Sequence, residues 1–161
     1  MYNILYGALK GVDMIINLKQ LFDIVGESRE IKHTIQSDEL SGISGVEFAS
    51  PVEIEGRVFN RAGVVFLKYS VSCTLLQLCD RCLKEMKNDY HFDFEHIVVS
   101  SVSRDNDEYI VAEGESINLN EIAVTDLLLQ LPSKFLCDEE CKGLCMVCGC
   151  DLNESECDCL K

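Results

Sequence analysis

A chain of 161 residues with 47 % hydrophobic side chains can bury a core, which excludes a disordered acidic protein. Its net charge of -14 is concentrated late: positions 1–100 carry 14 acids and 10 bases, and positions 101–161 carry 14 acids and 4 bases. Phosphate recognition rests on lysine and arginine, so this balance disfavours simple nucleic-acid binding and suits a basic protein partner.

The first stretch, Met1–Met14, has apolar residues but is interrupted by Asn3, Gly7, Lys10, Gly11 and Asp13, so no secretory leader is apparent. No apolar run approaches the length of a membrane span, and a cytoplasmic, membrane-free protein is expected. Residues 14–25 predict a strand turning into a short helix. Residues 31–36 predict a weak strand. Val52–Phe59 alternates, with Val52, Ile54 and Val58 on one face. Asn60, Arg61, Ala62 and Gly63 form a turn in which Gly63 can take positive φ. Val64–Leu78 is a long β run, with Val65, Leu67, Tyr69, Val71 and Cys73 sharing a face by period-two spacing. A third strand, Tyr90–Val99, places Phe92, Phe94, His96 and Val98 together. Residues 104–108 read as a charged loop, and Ile110–Val111 as a short strand. Leu119–Leu131 is the best helix: Asn118 can cap it, Glu121 sits three residues on, and Pro132 closes it. Its narrow polar side predicts that most of it is buried. The fold class is α+β: an antiparallel β meander packed with one or two helices, plus a C-terminal Cys-rich metal-binding tail. The expected division is an extension at 1–13, a core domain at 14–132 and the tail at 133–161.

Ten cysteines are present, and eight fall into close groups: Cys79/Cys82, Cys137/Cys141, Cys145/Cys148 and Cys157/Cys159. Cys145-Met146-Val147-Cys148-Gly149 is a C-x-x-C-G knuckle, in which two thiolates reach one ion and the glycine permits the turn. Cys157 and Cys159 supply the other two ligands, with Cys141 as an alternative member four residues before Cys145. Cys79 and Cys82 lie where the chain must reverse between two strands, and can complete a second site with Cys137 and Cys141; the bland reading is a reduced pair at a turn. In a cytosolic chain such pairs favour metal over disulfides. Zinc is the default ion for four thiolates, and iron fits the same geometry. Cys73 is expected in the core and Cys150 as a bystander.

Enzyme signatures are poor. There is no G-x-S-x-G, no Gly-rich phosphate loop and no H-E-x-x-H. His33, His91 and His96 read as surface or edge residues rather than ligands. A redox role for Cys145 and Cys148 needs a low thiol pKa, and the surrounding Asp138, Glu139, Glu140, Asp151, Glu154 and Glu156 are expected to raise it. The basic cluster Arg81, Lys84 and Lys87 is interleaved with Asp80, Glu85 and Asp89 and reads as a solvated face.

Cys79-Asp80-Arg81-Cys82-Leu83 after a long strand, then Leu131-Pro132, Cys137, Cys141-Lys142-Gly143-Leu144-Cys145, Cys148-Gly149, Asp151-Leu152-Asn153 and Cys157-Asp158-Cys159, resemble the YceD family of large ribosomal RNA subunit accumulation proteins. The resemblance covers about Met14 to Cys159. It implies a role in accumulation of the large ribosomal RNA, and bacterial genes of the family often adjoin that of a small large-subunit ribosomal protein. The expectation is a non-enzymatic factor in large-subunit assembly, with structural metal. Its acidic surface, with Glu139, Glu140, Glu154 and Glu156 as contacts, would hold a basic ribosomal protein or meet the assembling subunit, leaving rRNA contact indirect. The rivals are direct rRNA binding through Arg81, Lys84 and Lys87, and thiol–disulfide exchange.

Overall fold

The computed structural model describes residues 13–43, 45–101 and 109–160. The charged loop at 104–108, and all of the 1–13 extension except Asp13, lie outside the described residues. The elements in chain order are β1 (Ile15–Asn17), α1 (Lys19–Asp23), β2 (Ser28–Ile35), β3 (Glu47–Phe48), β4 (Val52–Arg61), β5 (Val64–Leu78), β6 (Glu85–Val99), β7 (Tyr109–Val111), β8 (Ser116–Asn118) and α2 (Leu119–Gln130), with a final 3-10 turn at Asp158–Leu160.

The alternation on β4 and β5 builds the main sheet. Val65, Leu67, Tyr69, Val71, Cys73 and Leu75 all point inward and are buried, as are Val52, Ile54 and Val58 on the neighbouring strand. The turn between these strands holds Ala62 and Gly63 at φ 55 and φ 86, the left-handed pair that a tight hairpin needs. The strands run in the order β2-β4-β5-β6-β7, with β3 also on β5. The β5 edge shared by β3 and β4 is interrupted at residues 49–51, where the Ser50 hydroxyl accepts from the Thr74 N–H at 2.8 Å.

The expected antiparallel meander is present through β2, β4, β5 and β6, and the short strand β7 joins it parallel to β6, with Val98 opposite Ile110. One strand bound needs correction. The third strand starts at Glu85 rather than Tyr90, because Gln77 accepts from Asn88 at 3.1 Å and Tyr90 at 3.0 Å and so keeps polar residues on the inner face. Helix α2 is mostly covered, as its narrow polar side predicts: Leu119, Asn120, Ala123, Val124 and Leu127 are buried, Ile122 and Leu128 pack half-buried against the core, and Leu129 and Gln130 at its end are exposed. Asn118 caps it by accepting from the N–H groups of Asn120 and Glu121.

Two polar contacts fix the layers. Asp126 on α2 accepts from the Tyr69 hydroxyl and pairs with His96 Nε2 at 2.6 Å, tying the helix to β5 and β6. Buried Asn60 donates to the Leu21 carbonyl at 2.6 Å, tying α1 to the hairpin. β1 and β8 form a separate antiparallel pair, which the sequence did not predict.

Candidate metal centres

The β5–β6 connection forms the first knuckle. The Leu83 N–H closes it on the Cys79 carbonyl at 2.9 Å, with Leu83 in the left-handed region at φ 60. The second knuckle repeats this turn: the Gly149 N–H donates to the Cys145 carbonyl at 2.9 Å, and Gly149 sits at φ 75. A left-handed residue just after C-x-x-C lets both sulfurs face the same point.

The segment after α2 is stitched to the first knuckle. Asp80 and Phe135 exchange two bonds of 2.7 Å, backbone N–H to carbonyl and backbone N–H to carboxylate. Arg81 Nη1 donates to the carbonyls of Cys141 at 2.8 Å and Glu139 at 3.4 Å. Arg81 is thus committed to backbone carbonyls, which weakens the direct rRNA reading of Arg81, Lys84 and Lys87.

These contacts bring eight of the ten thiols into two groups of four: Cys79, Cys82, Cys137 and Cys141 in one, and Cys145, Cys148, Cys157 and Cys159 in the other. Within each, all four sulfurs lie within 4.8 Å of one another. Sulfur–sulfur approaches include 3.8 Å for Cys79–Cys141, 3.5 Å for Cys82–Cys137, and 3.4 Å for both Cys148–Cys157 and Cys145–Cys157. Four thiolates bonded at about 2.3 Å around a tetrahedral ion lie about 3.8 Å apart, whereas a disulfide needs about 2.05 Å. The separations fit a shared ion, so each group can hold a metal. Cys141 stands with the first group rather than as a member of the second. The first group is largely buried, with Cys79, Cys82 and Cys141 in a small core with Met86, Leu136 and Leu144. In the second, Cys148 and Cys159 are exposed.

The thiol electrostatics differ from the expectation based on the surrounding acids. Burial pushes the Cys79 thiol up, but the backbone N–H groups of Cys82, Cys137 and Arg81 outweigh it and bring it down to about 6. The Cys150 N–H, with help from the Cys157 thiol, lowers Cys148 to about 6. The N–H groups of Cys148 and Val147 lower Cys145. Cys137 is raised to about 12 by the neighbouring Cys141 and Cys82 thiols, and Cys159 to about 12 by Cys157 and Cys148. Backbone dipoles and crowded sulfurs, rather than carboxylates, set these thiols. Such crowding resists joint ionisation, and a bound dication removes the resistance.

Cys150, expected as a bystander, stands against the Cys148 and Cys157 thiols, with Cys148 pushing it up to about 12. Its spacing from Cys148 is that of Cys159 from Cys157, and that repeat was the signal available in the sequence. Cys73 is buried on the inner face of β5, where burial pushes its thiol up to about 11. Asn153, quoted in the motif without a role, donates to the Cys141 sulfur at 3.4 Å. Glu139, Glu140, Glu154 and Glu156 are all exposed around the two centres. His91 is exposed and bonds Ser72, and no histidine joins either group of sulfurs.

Residues 67–161 match the family described as Large ribosomal RNA subunit accumulation protein YceD. The chain is 23 % identical over 124 residues to the Uncharacterized protein YlbN of Bacillus subtilis (strain 168), covering 75 % of this chain and 72 % of that protein. No solved structure matches. Among the described residues no helix is long and apolar enough to cross a membrane.

Proposed function

This chain belongs to the YceD family of large ribosomal RNA subunit accumulation proteins, and on that premise we propose that it is a cytoplasmic, non-catalytic factor in large-subunit assembly, shaped by two structural zinc ions. Cys79, Cys82, Cys137 and Cys141 hold one ion, and Cys145, Cys148, Cys157 and Cys159 the other. A zinc ion with four thiolates is closed to substrate and water, so it supplies folding energy rather than chemistry. Iron in the same ligand sets is the alternative ion.

The observation that carries the reading is the family match together with the two four-sulfur groups at metal-binding separations. In this reading residues 14–132 form the supporting core, and residues 133–161 are the segment that metal organises. That segment presents exposed Glu139, Glu140, Glu154 and Glu156, and exposed Met146 and Val147 at the tip of the second knuckle. Exposed carboxylates and an exposed apolar knuckle tip on one segment suit a basic, partly apolar protein partner, which the field of the net charge of -14 steers towards it. The partner is therefore a basic ribosomal protein, met free or on the assembling subunit, and rRNA is influenced through it.

Two measurements test this. Elemental analysis of protein purified without added metal should find two zinc ions per chain. Reversing all four glutamates to lysine should abolish binding of basic ribosomal proteins and lower large-rRNA accumulation in cells. Survival of both after the reversal would remove the acidic-surface mechanism.

A further inference from the structure

Resting on the metal reading above, we propose that the two centres load cooperatively, and that Asn153 is the positioning residue that couples them. Cys141 belongs to one group and Cys145 to the other, and only Lys142, Gly143 and Leu144 separate them. This link is held from both sides. From the first knuckle, Arg81 donates to the Cys141 carbonyl at 2.8 Å, and its own carbonyl accepts from the Leu144 N–H at 3.1 Å. Gly143 lies so close to that carbonyl that an added Cβ would stand 3.0 Å from it. From the second centre, the Leu152 N–H donates to the Gly143 carbonyl at 2.9 Å, and the Cys145 N–H to the Cys150 carbonyl at 2.8 Å.

Asn153 crosses from one centre to the other. It sits in the loop between Cys148 and Cys157, two sulfurs of the second group. Its Nδ2 donates to the Cys141 sulfur of the first group at 3.4 Å, while its Oδ1 accepts from the Lys142 N–H at 2.8 Å. Asp151 Oδ1 fixes its orientation by accepting from the Asn153 N–H at 2.8 Å and from Nδ2 at 2.7 Å. Four thiolates around one dication leave two surplus negative charges, and a neutral N–H donor stabilises them without adding a ligand. An ion at the second centre closes the loop whose ends are Cys148 and Cys157, and so places Asn153 on the Cys141 sulfur before the first centre fills. Linkage requires the reverse: an ion at the first centre fixes Cys141, the link and Asn153, and thereby the second loop.

The test uses the full chain under reducing conditions, titrated with Zn(II) against a chromophoric chelator. Four variants are compared with wild type: Asn153→Ala, Asn153→Asp, Cys148→Ser with Cys157→Ser, and that pair combined with Asn153→Ala. Substituting a residue that bonds a metal ligand weakens affinity by about 10- to 100-fold. Asn153→Ala should therefore weaken the Cys79 centre by at least about tenfold while all eight ligands remain. Cys148→Ser with Cys157→Ser should weaken the same centre at least as much, and adding Asn153→Ala to that pair should change nothing further. Asn153→Asp keeps the acceptor for Lys142 but loses the donor, and should not restore affinity. Cys79-centre affinity unchanged within about twofold both in Asn153→Ala, with two ions bound, and in the serine pair, with one, would overturn the coupling and leave the structural-metal reading standing. Restored affinity in Asn153→Asp would overturn the role of the N–H···S bond. A wild-type chain that takes up no metal would sink the underlying reading and the coupling with it.

Discussion

Stripping both centres with a chelator, with thiols kept reduced, is expected to disorder residues 137–160 and leave the sheet folded. The segment has few apolar anchors of its own. Leu136 and Leu144 are half-buried against the small cluster of Cys79, Cys82 and Cys141. A fully buried leucine contributes about 1.5–3 kcal/mol, so two half-buried ones offer together about the same. Ordering even ten residues of backbone costs about 10–20 kcal/mol, which that burial cannot offset. A structural zinc site contributes about 10–16 kcal/mol, and this decides the outcome. β5 stands on other ground: Val65, Leu67, Tyr69, Val71 and Leu75 are each no more than 3 % exposed within the main core. Amide hydrogen exchange read by mass spectrometry, before and after chelation, should show protection lost across 137–160 and kept across Val64–Leu78. Equal loss in Val64–Leu78 would mean that metal holds the whole molecule. Retained protection in 137–160 would mean that the segment orders itself. Either result would refute the reasoning.

The remaining predictions are narrower. Gly149 sits at φ 75 with no atom within 4 Å of an added Cβ, so the cost of Gly149→Ala is conformational, about 1–2 kcal/mol. That is about 5- to 30-fold weaker metal binding at the second centre, read by chelator competition. Leu83→Gly should go the other way and raise Tm slightly, because Leu83 holds φ 60 while 60 % exposed and loses little burial. Asp126→Ala strips Tyr69 and His96 of their shared acceptor, and urea unfolding should show a loss of about 2–4 kcal/mol. Burial, then the Asp126 carboxylate, pushes the Tyr69 hydroxyl well above its ordinary 10.0. The folded state therefore keeps it neutral while the unfolded state ionises: its contribution is complete below pH 10 and is lost as pH rises beyond it. Denaturation curves above pH 10 should fall less steeply in Tyr69→Phe. Cys150→Ser should retain two zinc ions per chain by elemental analysis, because both groups keep four sulfurs without it.

The long strands and the capped helix were legible because periodicity records which face meets the core. Val64–Leu78 is found with the bounds that alternation gives. The pairing of β7 with β6 was not legible, because Tyr109–Val111 is too short to carry a pattern or a direction. β1 and β8 pair Ile16 with Ile117, and nothing local announces a partner a hundred residues away. Helix α2 was legible in the same terms: Ala123, Val124 and Leu127 are buried, Leu128 and Leu131 pack against the core, and of its leucines only Leu129 stands exposed. At the centres, spacing identified eight sulfurs but left Cys141 free to join either set; the bond from Arg81 to its carbonyl places it beside Cys79. Asn153 stood in the quoted motif without a role, because an asparagine in a turn looks the same whether or not a sulfur lies beyond it.

The first centre draws its ligands from two places far apart along the chain. Cys79 meets Cys141 across 62 positions, and Cys82 meets Cys137 across 55. The four sulfurs cannot come together until β6, β7, β8 and α2 have all been traversed and the segment beyond α2 has come back to the hairpin. A chain emerging from the ribosome therefore shows Cys79 and Cys82 as an open pair for the whole of that interval. Completion of the first group is therefore a late event in synthesis. A chain that stops short of Cys137 lacks two of its four sulfurs and cannot assemble it.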